Sequence, residues 1–166
     1  MDPFFIWLES TTFSTWMRDS PSAFAFPAIL TAHTVGMGIV AGVNAVVALR
    51  ILGVAPAVPV AELKRFMPVM WCGFWLNAVT GVALLLAYPT KALTNPVFYL
   101  KLALVTLAVW LVTRINRRLA RPTEADNPRT ARHLRFYATA SLLSWSAAIT
   151  AGRLLAYTYS RLTAIP

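Results

Sequence analysis

Three side chains able to carry positive charge stand inside long apolar stretches of this 166-residue chain: His33, Lys101 and Arg153. The acidic residues Asp2, Glu9, Asp19, Glu62, Glu124 and Asp126 all fall in the N-terminal segment or between those stretches. A cation in lipid without an internal counter-ion must reach the interface, pair with another chain, or hold something anionic. Arginine grips carboxylate and phosphate through a planar fork of donors, and lysine offers a point charge. An imidazole near mid-membrane can ligate a metal or relay a proton. Brought together, the three would form a cationic site for an anionic ligand.

Helical spacing groups these residues with others. His33, Met37, Val40 and Asn44 step by three and four along one face, beside a second stripe of Thr34, Gly38 and Gly42. Thr139, Ser146, Thr150, Arg153 and Tyr157 make a polar face that is unfavourable toward lipid. Gly73, Asn77, Thr80 and Gly81 form a small, polar face on another stretch. Counting about 1.5 Å per residue from each membrane edge puts His33 near mid-membrane, with Lys101 and Arg153 within about two turns of the outer edge. The candidate ligand-binding set is therefore His33, Met37, Asn77, Lys101, Thr150, Arg153 and Tyr157, with His33 the candidate metal ligand. Plainer roles stay open: His33 bonded across helices, Lys101 snorkelling to headgroups, and Met37 packing rather than ligating.

A second histidine, His133, raises the possibility of a haem iron held between two imidazoles. It lies at the opposite end of its stretch, an offset on the order of 20 Å by helix rise, which is too large for one iron. One haem b held by His33 alone, or by His33 of two chains, stays open, with Lys101 and Arg153 as propionate partners.

The elements that must position these residues follow from composition. An apolar share of 58% against 13% charged, with mean hydropathy +0.61, excludes an ordinary soluble domain. Residues 23–49, 66–88, 96–114 and 136–159 approach or exceed the roughly 20 apolar residues that cross a bilayer as a helix. The expectation is an all-α integral membrane four-helix bundle, a single domain over residues 1–166. Residues 3–20 are too short and polar to cross, and read as an amphipathic helix lying in the interface, anchored by Trp7 and Trp16. There is no basic, apolar, small-residue leader pattern, so the first span is expected to stay in the mature protein.

Basic residues set the orientation. Arg50, Lys64 and Arg65 lie between the first two spans, and seven arginines from Arg114 to Arg135 fall around residues 115–135, read as a basic cytoplasmic loop. The opposite side offers Arg18, Lys91 and Arg161. The positive-inside bias therefore predicts a multi-pass inner-membrane protein with both termini outside. Placed at span ends, the net charge of +9 is a topology signal and not a nucleic-acid footprint. Cys72 is the single cysteine, so no intrachain disulfide or cysteine zinc site forms. No glycine-rich phosphate loop, catalytic triad, HExxH motif or pair of membrane carboxylates is present, so the chain is not expected to be an enzyme on its own.

The runs Trp7-Leu8-Glu9-Ser10, Ser14-Thr15-Trp16-Met17-Arg18-Asp19-Ser20, His33-Thr34-Val35-Gly36-Met37-Gly38 and Leu49-Arg50-Ile51-Leu52-Gly53 resemble a pattern in small bacterial inner-membrane proteins of unassigned role. That likeness covers the first third of the chain and implies four spans. More remotely, a histidine in a glycine-rich first span resembles the copper-resistance D and cytochrome b561-type four-helix proteins. This chain differs from them in lacking paired histidines at matching depth. The expected function is a membrane-embedded cofactor- or ligand-binding subunit linked to electron transfer through haem b or a quinone. Two alternatives stand beside it: an oligomeric structural protein packing against a second copy or a partner subunit through Gly38 and Gly42, and a small-anion-binding or conducting protein.

Overall fold

The computed structural model describes residues 3–119 and 128–162. The described elements are all helical: α1 (Pro3–Glu9), α2 (Thr12–Asp19), α3 (Phe26–Ile51), α4 (Val60–Leu63), a 3-10 turn (Lys64–Phe66), α5 (Met67–Ala87), α6 (Pro89–Leu93), α7 (Pro96–Leu119) and α8 (Pro128–Leu162). Among them, Phe26–Ile51, Lys64–Ala87 and Pro96–Leu119 are long and apolar enough to cross a membrane.

Local chemistry sets the helix ends. Pro27, Pro68 and Pro89 sit in the first turns of α3, α5 and α6, where a missing N–H costs no helical bond. Beyond α3, Gly53 takes φ +104°, and its N–H reaches Arg50 O at 3.1 Å. That left-handed turn is open to glycine at little cost and stops the helix.

The segment expected as one helix over 3–20 is two. Thr11 breaks it, because its Oγ1 accepts the N–H of Ser14 at 3.4 Å and caps α2. α2 is docked, with Ser14 and Met17 both fully buried. Ser14 Oγ donates to Leu86 O at 2.6 Å. Arg18 donates from Nη1 to Ala87 O at 2.9 Å and from Nη2 to Glu9 O at 2.6 Å. A cation and a hydroxyl thus satisfy carbonyls that the end of α5 leaves without helical partners. Trp7 and Trp16 remain exposed.

Two other boundaries move outward. α7 runs to Leu119 and α8 begins at Pro128, so both ends of the expected 115–135 loop are helical and its centre, 120–127, lies outside the described residues. Apolarity ends at the hydrocarbon edge, but arginine and leucine favour helix well beyond it. α8 has 35 residues, about 50 Å of helix at 1.5 Å per residue.

α3 packs along α5, α7 packs along α8, and α3 also meets α8. The closest approach is between α3 and α5. A Cβ on Gly36 would lie 2.8 Å from Asn77 N and Gly73 O, and one on Gly73 would lie 2.6 Å from Ile39 Cγ2. The Gly38 and Gly42 stripe, by contrast, is exposed, with nothing within 4 Å of a Cβ at either position. Val40, Met70, Ala108, Val112 and Trp145 form the central core cluster, and Val47, Leu63 and Ile115 form a second.

Candidate functional site

The Gly36–Gly73 contact brings the polar face of α5 against His33. Asn77 Nδ2 donates to His33 O at 2.7 Å. His33 Nδ1 lies 3.0 Å from Asn77 O and 3.1 Å from Thr80 Oγ1. Thr80 spends its own proton on Leu76 O at 2.6 Å, so toward His33 its oxygen can only accept. With two acceptors facing it, Nδ1 carries the proton in the neutral ring. Asn77 Nδ2 also sits 3.3 Å from Nδ1, a longer approach than its bond to the carbonyl. Nε2 makes no hydrogen bond among the described residues, and it is the nitrogen left to accept or to ligate. Gly81 supplies the room, since a Cβ there would meet His33 Cε1 at 3.1 Å.

His33 forms a shared wall between two cavities. One, of about 360 Å³, includes Phe26, Tyr88, Lys91 and Phe98 in its lining. The other, of about 510 Å³, lies between α3 and α8 and is lined by Met37, Gly38, Ile149, Arg153 and Tyr157. Leu30, His33, Lys101 and Gly152 line both. The Lys101 stem runs beside Gly152, with Cε and Nζ each 3.7 Å from the position of a Cβ there. The lining of both cavities contains no Asp or Glu among the described residues. Lys101 and Arg153 make no hydrogen bond or ion pair among the described residues. Each volume falls in the range of small-molecule and cofactor pockets, about 300–1,000 Å³.

Of the sequence-derived candidates, His33, Met37, Lys101, Arg153 and Tyr157 thus line one cleft. Asn77 stands behind His33 and holds it. Thr150 is not in the lining; its hydroxyl donates to Ser146 O at 2.9 Å on an exposed part of α8. Helical back-bonding satisfies that hydroxyl, and its place on the polar stripe does not bring it into the lining of the cleft. His133 is exposed and stacks on Tyr137 at 6.5 Å, near the opposite end of α8 from Arg153. No group of three or more His, Cys, Asp or Glu that could hold a metal ion exists among the described residues.

Thr80, Gly81 and Gly152 were not among the expected site residues. Thr80 and Gly81 lie on the small, polar face of α5, which carried their signal. Ala148 and Gly152, one turn apart before Arg153, form a small-residue step that marks where the Lys101 stem lies. Compared with family models, curated proteins and solved structures, the chain matches none.

Proposed function

We propose that the chain is a four-span membrane subunit, with α8 as the fourth span and both termini outside, that binds an anionic cofactor in the cleft between α3 and α8. The observation that carries this reading is the pairing of a locked imidazole with two unpaired cations. His33 Nδ1 is tied to α5, while Lys101 and Arg153 line the same cleft with no carboxylate beside them. A ligand that suits both features has a metal or donor group for Nε2 and acidic groups for the cations. Haem b has both. His33 would hold its iron, Lys101 and Arg153 would hold the propionates, and Leu30, Met37 and Ile149 would supply apolar walls. Bound there, haem would supply one-electron transfer. A quinone is the alternative occupant, hydrogen-bonded by His33 and Lys101.

The visible spectrum of detergent-purified protein, as isolated and after haem addition, tests the reading. A Soret band that His33→Ala removes and that Arg153→Gln weakens is the expected result. No band in either sample sinks the haem version. No effect of Arg153→Gln on any retained ligand sinks the cationic-cleft version.

A second reading is favoured by Gly38 and Gly42, which the fold leaves open. A second copy packing there would cover the mouth of the cleft, because Gly38 lines it. Gly38→Leu with Gly42→Leu should then reduce the particle mass in detergent; an unchanged mass rejects this reading.

A further inference from the structure

Two small cavities lie toward the other end of the bundle from His33, each of about 10 Å³. Asn44 of α3, Asn116 of α7 and Lys64 of the 3-10 turn line the first. Trp145 lines the second, among apolar side chains. Met70 and Val112 line both, so the two are neighbours. Asn44 and Trp145 are 3% and 4% exposed. Asn44 Nδ2 and Trp145 Nε1 are buried nitrogens with no hydrogen-bond partner among the described residues.

A buried donor without an acceptor is costly and rare in native proteins. A space of about 10–15 Å³ accommodates one water molecule, which needs two to four polar partners. The two cavities differ on that second requirement. Asn116 and Lys64 share the first lining with Asn44, whereas the lining of the Trp145 cavity holds no polar side chain besides tryptophan. Among the polar residues of the first lining, the unpartnered Asn44 nitrogen is a donor, and a lysine ammonium can only donate. The asparagine at 116 can turn either its oxygen or its nitrogen inward. The chemistry selects a small hydrogen-bond acceptor.

We propose that Asn44, Lys64 and Asn116 form a second binding site, which seats a single water or a monovalent anion at the inner end of the bundle. The apolar Trp145 cavity stays dry. The site is independent of whatever the His33 cleft binds, and it ties α3 to α7 and to the turn before α5 through a shared polar occupant.

Water-edited solid-state NMR of ¹⁵N-labelled protein in bilayers tests this directly. Spectra would be recorded in chloride and in a bulky-anion salt, with Asn44→Leu used to assign the Asn44 side-chain amide. For a water occupant, magnetisation reaches that amide quickly in both salts. For an anion, its shift follows the chloride concentration. Either result supports the site. An amide that receives no water magnetisation and ignores chloride overturns it, and so does rapid transfer to the Trp145 indole equal to that at Asn44. Asn44→Leu supplies a second readout. Loss of a bridging occupant lowers the unfolding temperature by about 2–4 °C, whereas removal of a dry, orphaned donor raises it.

Discussion

Replacing Gly36 with alanine tests the helix contact on which the His33 site rests, and Gly38→Ala, half a turn away on the same helix, is its control. A Cβ on Gly36 would lie 2.8 Å from Asn77 N and Gly73 O, about 0.6 Å short of the 3.4 Å at which ordinary contact begins. Both obstructing atoms are backbone, so neither can swing aside. α5 as a whole must yield. Overpacking of this kind costs about 1–3 kcal/mol. Alanine returns about 1 kcal/mol of helix propensity relative to glycine. Gly36→Ala should therefore be destabilising by up to about 2 kcal/mol net of that return. Gly38→Ala meets nothing within 4 Å and should be neutral, or stabilising by up to about 1 kcal/mol.

The difference between the two variants isolates the clash. At about 2–4 °C per kcal/mol for a chain of this length, it amounts to roughly 2–12 °C in unfolding temperature. Intrinsic tryptophan fluorescence during heating, both variants in one detergent, reads it directly, with Trp71 and Trp145 in or against the central core. Equal unfolding temperatures would refute the close α3–α5 approach, and with it the hydrogen bonding of His33.

Two further outcomes follow from the same geometry. Asn77→Leu removes the 2.7 Å bond to His33 O but leaves the Asn77 carbonyl on Nδ1, so cofactor affinity should fall about tenfold, the low end for an orienting partner. Unchanged affinity would show that Asn77 does not position the ring. For topology, on a Cys72→Ser background, Thr94→Cys should react with an impermeant thiol reagent from outside intact cells and Arg117→Cys only after permeabilisation; the reverse pattern refutes the orientation.

Three helices long and apolar enough to cross a membrane were legible because apolar length is a strong signal. Phe26–Ile51, Met67–Ala87 and Pro96–Leu119 each begin within a few residues of where hydropathy starts them. Less legible was where helix continues into polar sequence, since Arg117, Arg118 and Arg132 are compatible with either helix or loop. The grouping of His33, Met37, Lys101, Arg153 and Tyr157 followed from depth and face. The partner of each face did not. Periodicity says that Gly36, Gly38 and Gly42 are small, but not which of them another helix touches, and it is Gly36 that meets α5. Thr150 shows the same limit, because a hydroxyl on a polar stripe can satisfy itself within its own turn. The docking of α2 on the end of α5 depends on pairs far apart in sequence, such as Ser14 with Leu86, which no local pattern encodes.

The bundle consists of two helix pairs, α3 with α5 and α7 with α8, joined chiefly where α3 meets α8. The His33 cleft lies along that joint: His33 and Met37 come from one pair, Lys101 and Arg153 from the other. Neither pair alone contains the site. A bound cofactor would therefore act as a clasp, stabilising the assembled form by mass action in proportion to its occupancy. Without one, the Lys101 and Arg153 cations of the second pair line the cleft with no carboxylate among the lining residues to offset them. On the proposed reading, assembly of the two pairs and filling of the cleft are coupled, so conditions that strip a bound ligand would also loosen the two halves from one another.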